Sequence, residues 1–233
     1  MANSQHPQPS LNQCRARIDR AREHIKNLED KLSVLTNRSA ISWTKNDSAG
    51  RLVIPTENLP PITPILIGET LYNLRGALDY LVGQLFYLAT GNFDSRTKFL
   101  VEDSAAAWNR HLTHKAGGKR PWLPMLRVKH QDALKGFQPF NGCKWTKALQ
   151  IHSNIDKHRH FLIAKGARIV RATADWLPGS GRTVTSGITA DRKTKNDFAR
   201  SVLFDDGTAV IETLTEIEQG VSDVVQAFDA DFK

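Results

Sequence analysis

Two long stretches of this chain repeat an apolar residue at alternating steps of three and four. Leu11, Cys14, Ile18, Ala21, Ile25, Leu28, Leu32 and Leu35 make the first, and Leu71, Leu74, Leu78, Leu81, Leu85 and Leu88 the second. This spacing gathers each set on one narrow stripe of an α-helix. A helix with such a stripe must bury it against a partner, so two matching stripes predict an antiparallel helical bundle. The first stripe predicts a helix over about 11–36 with Ser10 as its cap. The second predicts a helix over about 65–89, ended by Gly91 and Asn92. Between them Pro55, Pro60, Pro61 and Pro64 read as a stiff, non-helical connector.

The same periodicity predicts a third strong helix over 144–163, with weaker ones at 105–112 and 125–136. Phe99–Val101 reads as a short strand. Beyond Lys165 the pattern changes to β-branched runs between Gly, Pro and Asp turns, at Ala167–Ala174, Thr183–Thr189, Ser201–Phe204 and Thr208–Thr213. These predict a small antiparallel β element. Thr215–Phe232 then reads as a final helix on Ile217, Val221, Val224, Val225 and Phe228. The expected architecture is mainly α: a disordered tail over 1–9, a bundle over 10–165, and a small C-terminal β element plus a last helix over 166–233.

Composition narrows the function classes. A chain of 233 residues, 40% apolar and 24% charged, buries a sizeable core without a metal or disulfide staple. Two cysteines, Cys14 and Cys143, exclude a disulfide framework and a four-cysteine zinc module. His111, His114, Cys143, His152 and His158 do not form a closely spaced ligand set, so neither metal nor cofactor is expected. No apolar run reaches the ~18–20 residues of a membrane span. The polar start, Met1 to Ser10, lacks the apolar stretch of a secretion signal, so the cytoplasm is the expected compartment. The net charge of +8 is uneven. Residues 107–172 hold 14 Lys and Arg against 2 acids, whereas 202–233 hold 8 acids against Lys233. A basic block of this kind attracts phosphates or nucleic acid, unless the acidic segment lies across it.

The chemistry concentrates on two helix faces. On a helical wheel Ala148, Ile151, Ile155 and Leu162 define one apolar face of the third helix, and His152, His158 and Arg159 fall in the same arc. Asn154 and Asp156 flank it. Ionisable groups facing a core need partners. Arg75 and Asp79 lie at the edge of the leucine stripe of the second helix and would supply them, as Asp79–Arg159 or Asp156–Arg75 pairs. Read as chemistry, His158 would be the general acid or base, with Arg75 and Arg159 gripping a phosphate. Read as architecture, the same cluster fixes helix register. The rear of the second helix carries Tyr72, Gly76, Tyr80, Gly83 and Tyr87, a face suited to packing within the chain or to a homodimer contact. Trp108, Trp122, Trp145 and Trp176 would be core anchors or platforms for bases.

Three of these segments resemble known ones. Ile67–Leu81, reading IGETLYNLRGALDYL, resembles the "hNLRsALDHL" helix of a group of uncharacterised bacterial proteins. Gln138-Pro139-Phe140 resembles the group's "QPY", and Asn154–Arg159 its "N-x-DKHR". The likeness spans about residues 11–165. The group's Arg-x4-His signature in turn resembles that of HEPN domains, helical bundles that are often dimeric and include metal-independent ribonucleases of toxin–antitoxin and phage-defence systems. Arg75 matches the arginine, but Tyr80 stands where the histidine would be. A tyrosine hydroxyl ordinarily titrates near ~10 and is a poor base at neutral pH. The resemblance therefore implies an RNA- or nucleotide-binding protein, with His158 taking the catalytic role if there is one. The competing expectation is a non-catalytic interaction or scaffold protein in which Arg75, Asp79, Asp156, His158 and Arg159 are structural.

Overall fold

The chain folds around one helix, α2 (Ile62–Thr90). Leu71, Leu74, Leu78, Leu81 and Leu85 are fully buried along it, as the three-four pattern predicts. Ile67, Ala77, Val82 and Phe86 are buried as well, so the apolar surface is broader than a two-helix seam. A helix of this kind needs neighbours on several sides. α1 (Asn12–Thr36), α5 (Lys144–His158) and α6 (Val210–Ala227) supply them, and all three pack against α2. Smaller elements complete the order: β1 (Gly50–Ile54), α3 (Ala105–Thr113), α4 (Val128–Gly136), β2 (Lys165–Val170) and β3 (Val202–Leu203), with 3-10 turns at Leu123–Met125, Pro139–Asn141 and Asp229–Phe232. The computed structural model describes residues 8–36, 50–54, 59–113, 120–158, 165–170, 202–204 and 206–233.

The mainly helical expectation holds. The α1 seam from Leu11 to Leu32 is buried throughout, and so are Ile217, Val221, Val224, Val225 and Phe228 on α6. Several local readings are corrected. Helix α2 starts at Ile62, so Pro64 sits inside its first turn. Proline is tolerated there because the first amide groups of a helix have no intrahelical acceptor. Ser10 is not a side-chain cap. The first helical bond runs from Arg15 N–H to the Leu11 carbonyl, and the Ser10 amide donates to Gln84 Oε1 at 3.1 Å. The buried stripe of α5 is Thr146, Leu149, His152 and Ser153, whereas Ile151 is 41% exposed. Trp108 and Trp122 are core residues, and Trp176 lies outside the described residues.

A separate C-terminal β element built from the four segments within 166–213 is not supported. Thr208–Thr213 is the entry to α6, not a strand: the Asp206-Gly207-Thr208 turn leads into the helix, and Val210 and Ile211 are buried in its first turn. Thr183–Thr189 lies outside the described residues. β1 and β2 pair antiparallel from Gly50↔Val170 to Ile54↔Gly166, and Val202–Leu203 adds two residues at the end of β2. Helix α6 shares one core with α1, α2 and α5, so the bundle extends past residue 165.

Helix α6 approaches α5 closely because residue 220 has no side chain. A Cβ built on Gly220 would lie 2.3 Å from Trp145 Cε2. The indole therefore rests on the α6 backbone itself. Gly220→Ala is expected to lower stability by roughly 1–3 kcal/mol through overpacking. Trp145→Leu in the same chain is expected to recover part of that loss, as read by urea denaturation.

Candidate functional site

The motif residues converge on an irregular segment, residues 97–102, that runs beside α2. Phe99, Leu100 and Val101 are buried there, yet among the described residues no strand pairs with them. The predicted strand at Phe99–Val101 is thus absent, and side chains take the backbone groups that a neighbouring strand would take. Phe99 N–H donates to Asp79 Oδ1 at 2.8 Å, and Arg75 Nη2 donates to Phe99 O at 2.5 Å. Arg75 Nε lies 3.4 Å from Asp79 Oδ1, one turn on along the helix. Gln138 is fully buried and works from the other side. Its Nε2 donates to Leu100 O at 2.9 Å and to Leu134 O at 3.0 Å, while its Oε1 accepts from Glu102 N–H at 2.9 Å. Gln150 Nε2 reaches Val101 O at 3.2 Å.

This geometry assigns two sequence motifs a common job. Arg75 and Asp79, four residues apart on α2, clasp both main-chain groups of Phe99. Gln138, the first residue of the Gln-Pro-Phe turn, clasps Leu100 O and Glu102 N–H on either side of Val101. A buried main-chain group left without a partner costs about 1–3 kcal/mol, so a lone segment can be buried only if side chains meet it.

Beside the clasp lies an open recess of about 230 Å3, lined by Arg17, Tyr72, Arg75, Gly76, Asp79, Tyr80 and Ser153. Arg17 projects into it from α1. Its guanidinium carbon is 4.7 Å from the Tyr80 ring centre and 5.6 Å from that of Tyr72, and Nη1 is 3.4 Å from Asn73 Oδ1. Among the described residues no carboxylate stands within ion-pair distance of Arg17. Gly76 makes the room: a Cβ there would lie 3.0 Å from Arg17 Nη1. Arg17 escaped the sequence reading because it sits among the charges flanking the α1 seam, and only the pairing of α1 with α2 brings it to Tyr72 and Tyr80.

The remaining candidates divide. Arg75, Asp79 and Tyr80 line the recess. His152 does not: it is buried, stacked on Phe204 at 3.9 Å, with Nε2 at 3.7 Å from Asp206 Oδ2. Asn154 is exposed. Asp156 and His158 fall in the last turn of α5, with their side chains outside the described residues, and Arg159 lies outside them altogether. The Asp156–Arg75 and Asp79–Arg159 pairs and the Arg75–His158 juxtaposition therefore fall outside the described residues too. The rear-face tyrosines and glycines are in use within the chain. Arg17 fills the notch at Gly76, Thr97 Oγ1 stands 3.8 Å from a Cβ at Gly83, and Tyr87 stacks on Phe93 at 4.6 Å. Among the described residues no group of three or more His, Cys, Asp or Glu is placed to hold a metal ion. No helix among them is long and apolar enough to cross a membrane.

Outside the recess, burial is the main influence on the titrating core groups. Burial pushes the Cys14 thiol up to about 11, which leaves it un-ionised at neutral pH. Burial lowers His152 below the usual imidazole range, against the weaker pull of Asp206. Burial also lowers His24 and His130, despite Glu69 and Asp231 beside them. Burial raises Asp206, but the hydrogen bonds from Thr208 and the nearby His152 outweigh it, so its pKa falls. Lys129 lowers Asp231, aided by His130.

Two outcomes are expected. A histidine whose folded pKa is depressed binds fewer protons when folded, so its contribution is intact above the unfolded value near ~6.5 and is lost as pH falls below it. Asp206 and Asp231 add a second loss at lower pH, as it falls through the carboxylate range. The urea midpoint should therefore drop between pH 7.5 and 5, and His152→Gln and His130→Gln should flatten the drop. Gln138→Ala removes the partner of three main-chain groups, two of them buried, and should cost ~2–4 kcal/mol, more than Arg75→Ala at the half-buried clasp. A double-mutant cycle of Arg75→Ala with Asp79→Ala should show coupling, since both hold Phe99. No family model, no curated protein and no solved structure matches this chain.

Proposed function

We propose that this protein is a HEPN-like helical bundle that binds single-stranded RNA at the Arg17–Tyr72–Tyr80 recess without cleaving it. The carrying observation is a part-buried guanidinium laid against two tyrosine rings, with no carboxylate among the described residues to neutralise it. Tyr72 is 61% and Tyr80 41% exposed, so both rings offer area to a ligand. Exposed aromatic faces beside arginine suit an unpaired base and its phosphate. At about 230 Å3 the recess is smaller than the ~300–1,000 Å3 of ordinary small-molecule pockets. It suits one nucleotide unit of a strand lying over the surface better than an enclosed free nucleotide.

The same geometry argues against a ribonuclease centred on Arg75. Two of its nitrogens already serve Phe99 O and Asp79, and the latter cancels much of its charge. A guanidinium committed in this way is poorly placed to follow charge developing on a phosphorane. The clasp accounts for Arg75 and Asp79 through folding alone, which favours the architectural reading of that pair.

The test is fluorescence anisotropy with a labelled poly-U oligonucleotide at low and moderate salt. Binding should weaken with salt. Arg17→Ala and Tyr80→Ala should each reduce affinity roughly tenfold, in line with ~1–3 kcal/mol per stacked base. Both side chains reach the surface, so the melting temperature should change little. No cleavage product should form in chelator, with wild type or with His158→Ala. Equal binding by wild type and Arg17→Ala would remove the proposal, and metal-independent cleavage lost in His158→Ala would replace it with the enzyme.

A further inference from the structure

A second concavity lies away from the motif site, along α6. It is a groove of about 710 Å3 between α6, the start of α5 and the outer side of α1. Trp145 is its aromatic wall, held against the α6 backbone at Gly220. Ile211, Thr215 and Gln219 continue its α6 side, and four carboxylates rim it: Glu212, Glu216 and Asp223 from α6 and Glu29 from α1.

Two features distinguish this groove from an ordinary solvated helix face. The first is shape. The lining residues of α6 run from Ile211 to Asp223 at steps of one and three. At ~1.5 Å per residue this is about 18 Å, three turns, alongside a second wall. The second is charge. The whole chain carries +8, yet the rim is wholly acidic. Among the described residues Glu29, Glu212 and Glu216 have no cationic partner, whereas nearby Glu218 is held by Arg22 at 2.8 Å. An apolar wall under unpaired carboxylates complements a helix with one apolar stripe and lysine or arginine beside it.

We infer that this groove docks an amphipathic basic helix of a partner protein. The apolar stripe would lie on the half-buried Trp145 indole, and cationic side chains about one turn apart would meet Glu212 and Glu216 from one side and Glu29 from the other. Net charge sharpens the inference. A protein at +8 repels cationic peptides at long range, so a peptide that binds must be held locally.

The test uses a fluorescein-labelled three- to four-turn peptide with leucine at i, i+3, i+4 and i+7 and lysine on both flanks. Anisotropy should show saturable binding to the full chain. Glu212→Gln with Glu216→Gln should weaken it at least tenfold, with an unchanged circular dichroism spectrum and melting temperature. Asp19→Asn with Glu23→Gln, on another face, should leave it unchanged. The same peptide with glutamate for lysine should not bind. Three results would overturn the inference: equal binding by the Glu212/Glu216 variant, equal binding of a lysine peptide in which serine replaces leucine, or a dimer of the chain alone that the Glu212/Glu216 substitutions dissolve. The last would make a second copy the occupant. None of these results depends on whether the Arg17 recess binds RNA.

Discussion

A peptide segment that enters a core without a strand beside it brings unpaired amides and carbonyls with it, and most of this architecture answers that problem around Phe99 to Glu102. The answer comes from three places in the chain: α2 through Arg75 and Asp79, the Pro139 turn through Gln138, and α5 through Gln150. Each group is polar on a helix or turn that is otherwise apolar toward the core. The segment therefore ties α2, the Pro139 turn and α5 together. The amide of Gln138 is saturated, with both donor bonds and an acceptor bond made to main chain. Such a network is worth more than a list of its pairs, because releasing any one member exposes buried backbone.

Much of this could be read from residue order. The seams of α1 and α2 and the apolar set of α6 follow from spacing, and they are buried as far as Leu32 on α1 and Leu85 on α2, with Leu88 half-buried. The helix face marks Arg75 and Asp79, and the motif resemblance marks Gln138. Their purpose could not be read, because it depends on a segment with no periodicity of its own. Thr208–Thr213 shows the opposite failure. Its β-branched residues favour a strand locally, but Val210 and Ile211 gain more by facing the bundle from the first turn of α6, so tertiary burial overrides propensity. On α5 the apolar Ile151 reads as core but faces outward, while Thr146 and Ser153 are buried because their hydroxyls bond to the carbonyls of Cys143 and Leu149. Arg17 was invisible for a simpler reason. One helix alone does not reveal which of its charges will face another helix.

Charge is arranged by function rather than by average. The buried histidines are kept neutral by desolvation and serve as polar core pieces: His130 lies edge-on to Phe228, and His152 is flat on Phe204. The end of the last helix is fastened by charge: Asp229 meets Arg15, and Asp231 meets Lys129 and His130. Among the described residues, the cation at Arg17 and the acids Glu212 and Glu216 on α6 are left over after this pairing. The two readings of binding grow from those surpluses.

The guanidinium seated over Gly76 also has a mechanical side. A seam of similar leucines tolerates slippage by one turn, because each knob finds an equivalent hole one step along. Arg17 breaks that degeneracy like a key in a slot: moved one turn either way, its head group would meet a residue with a side chain instead of bare backbone. The two longest helices are thereby indexed to one another by a polar peg at their margin, independently of how well their hydrocarbon interiors interlock.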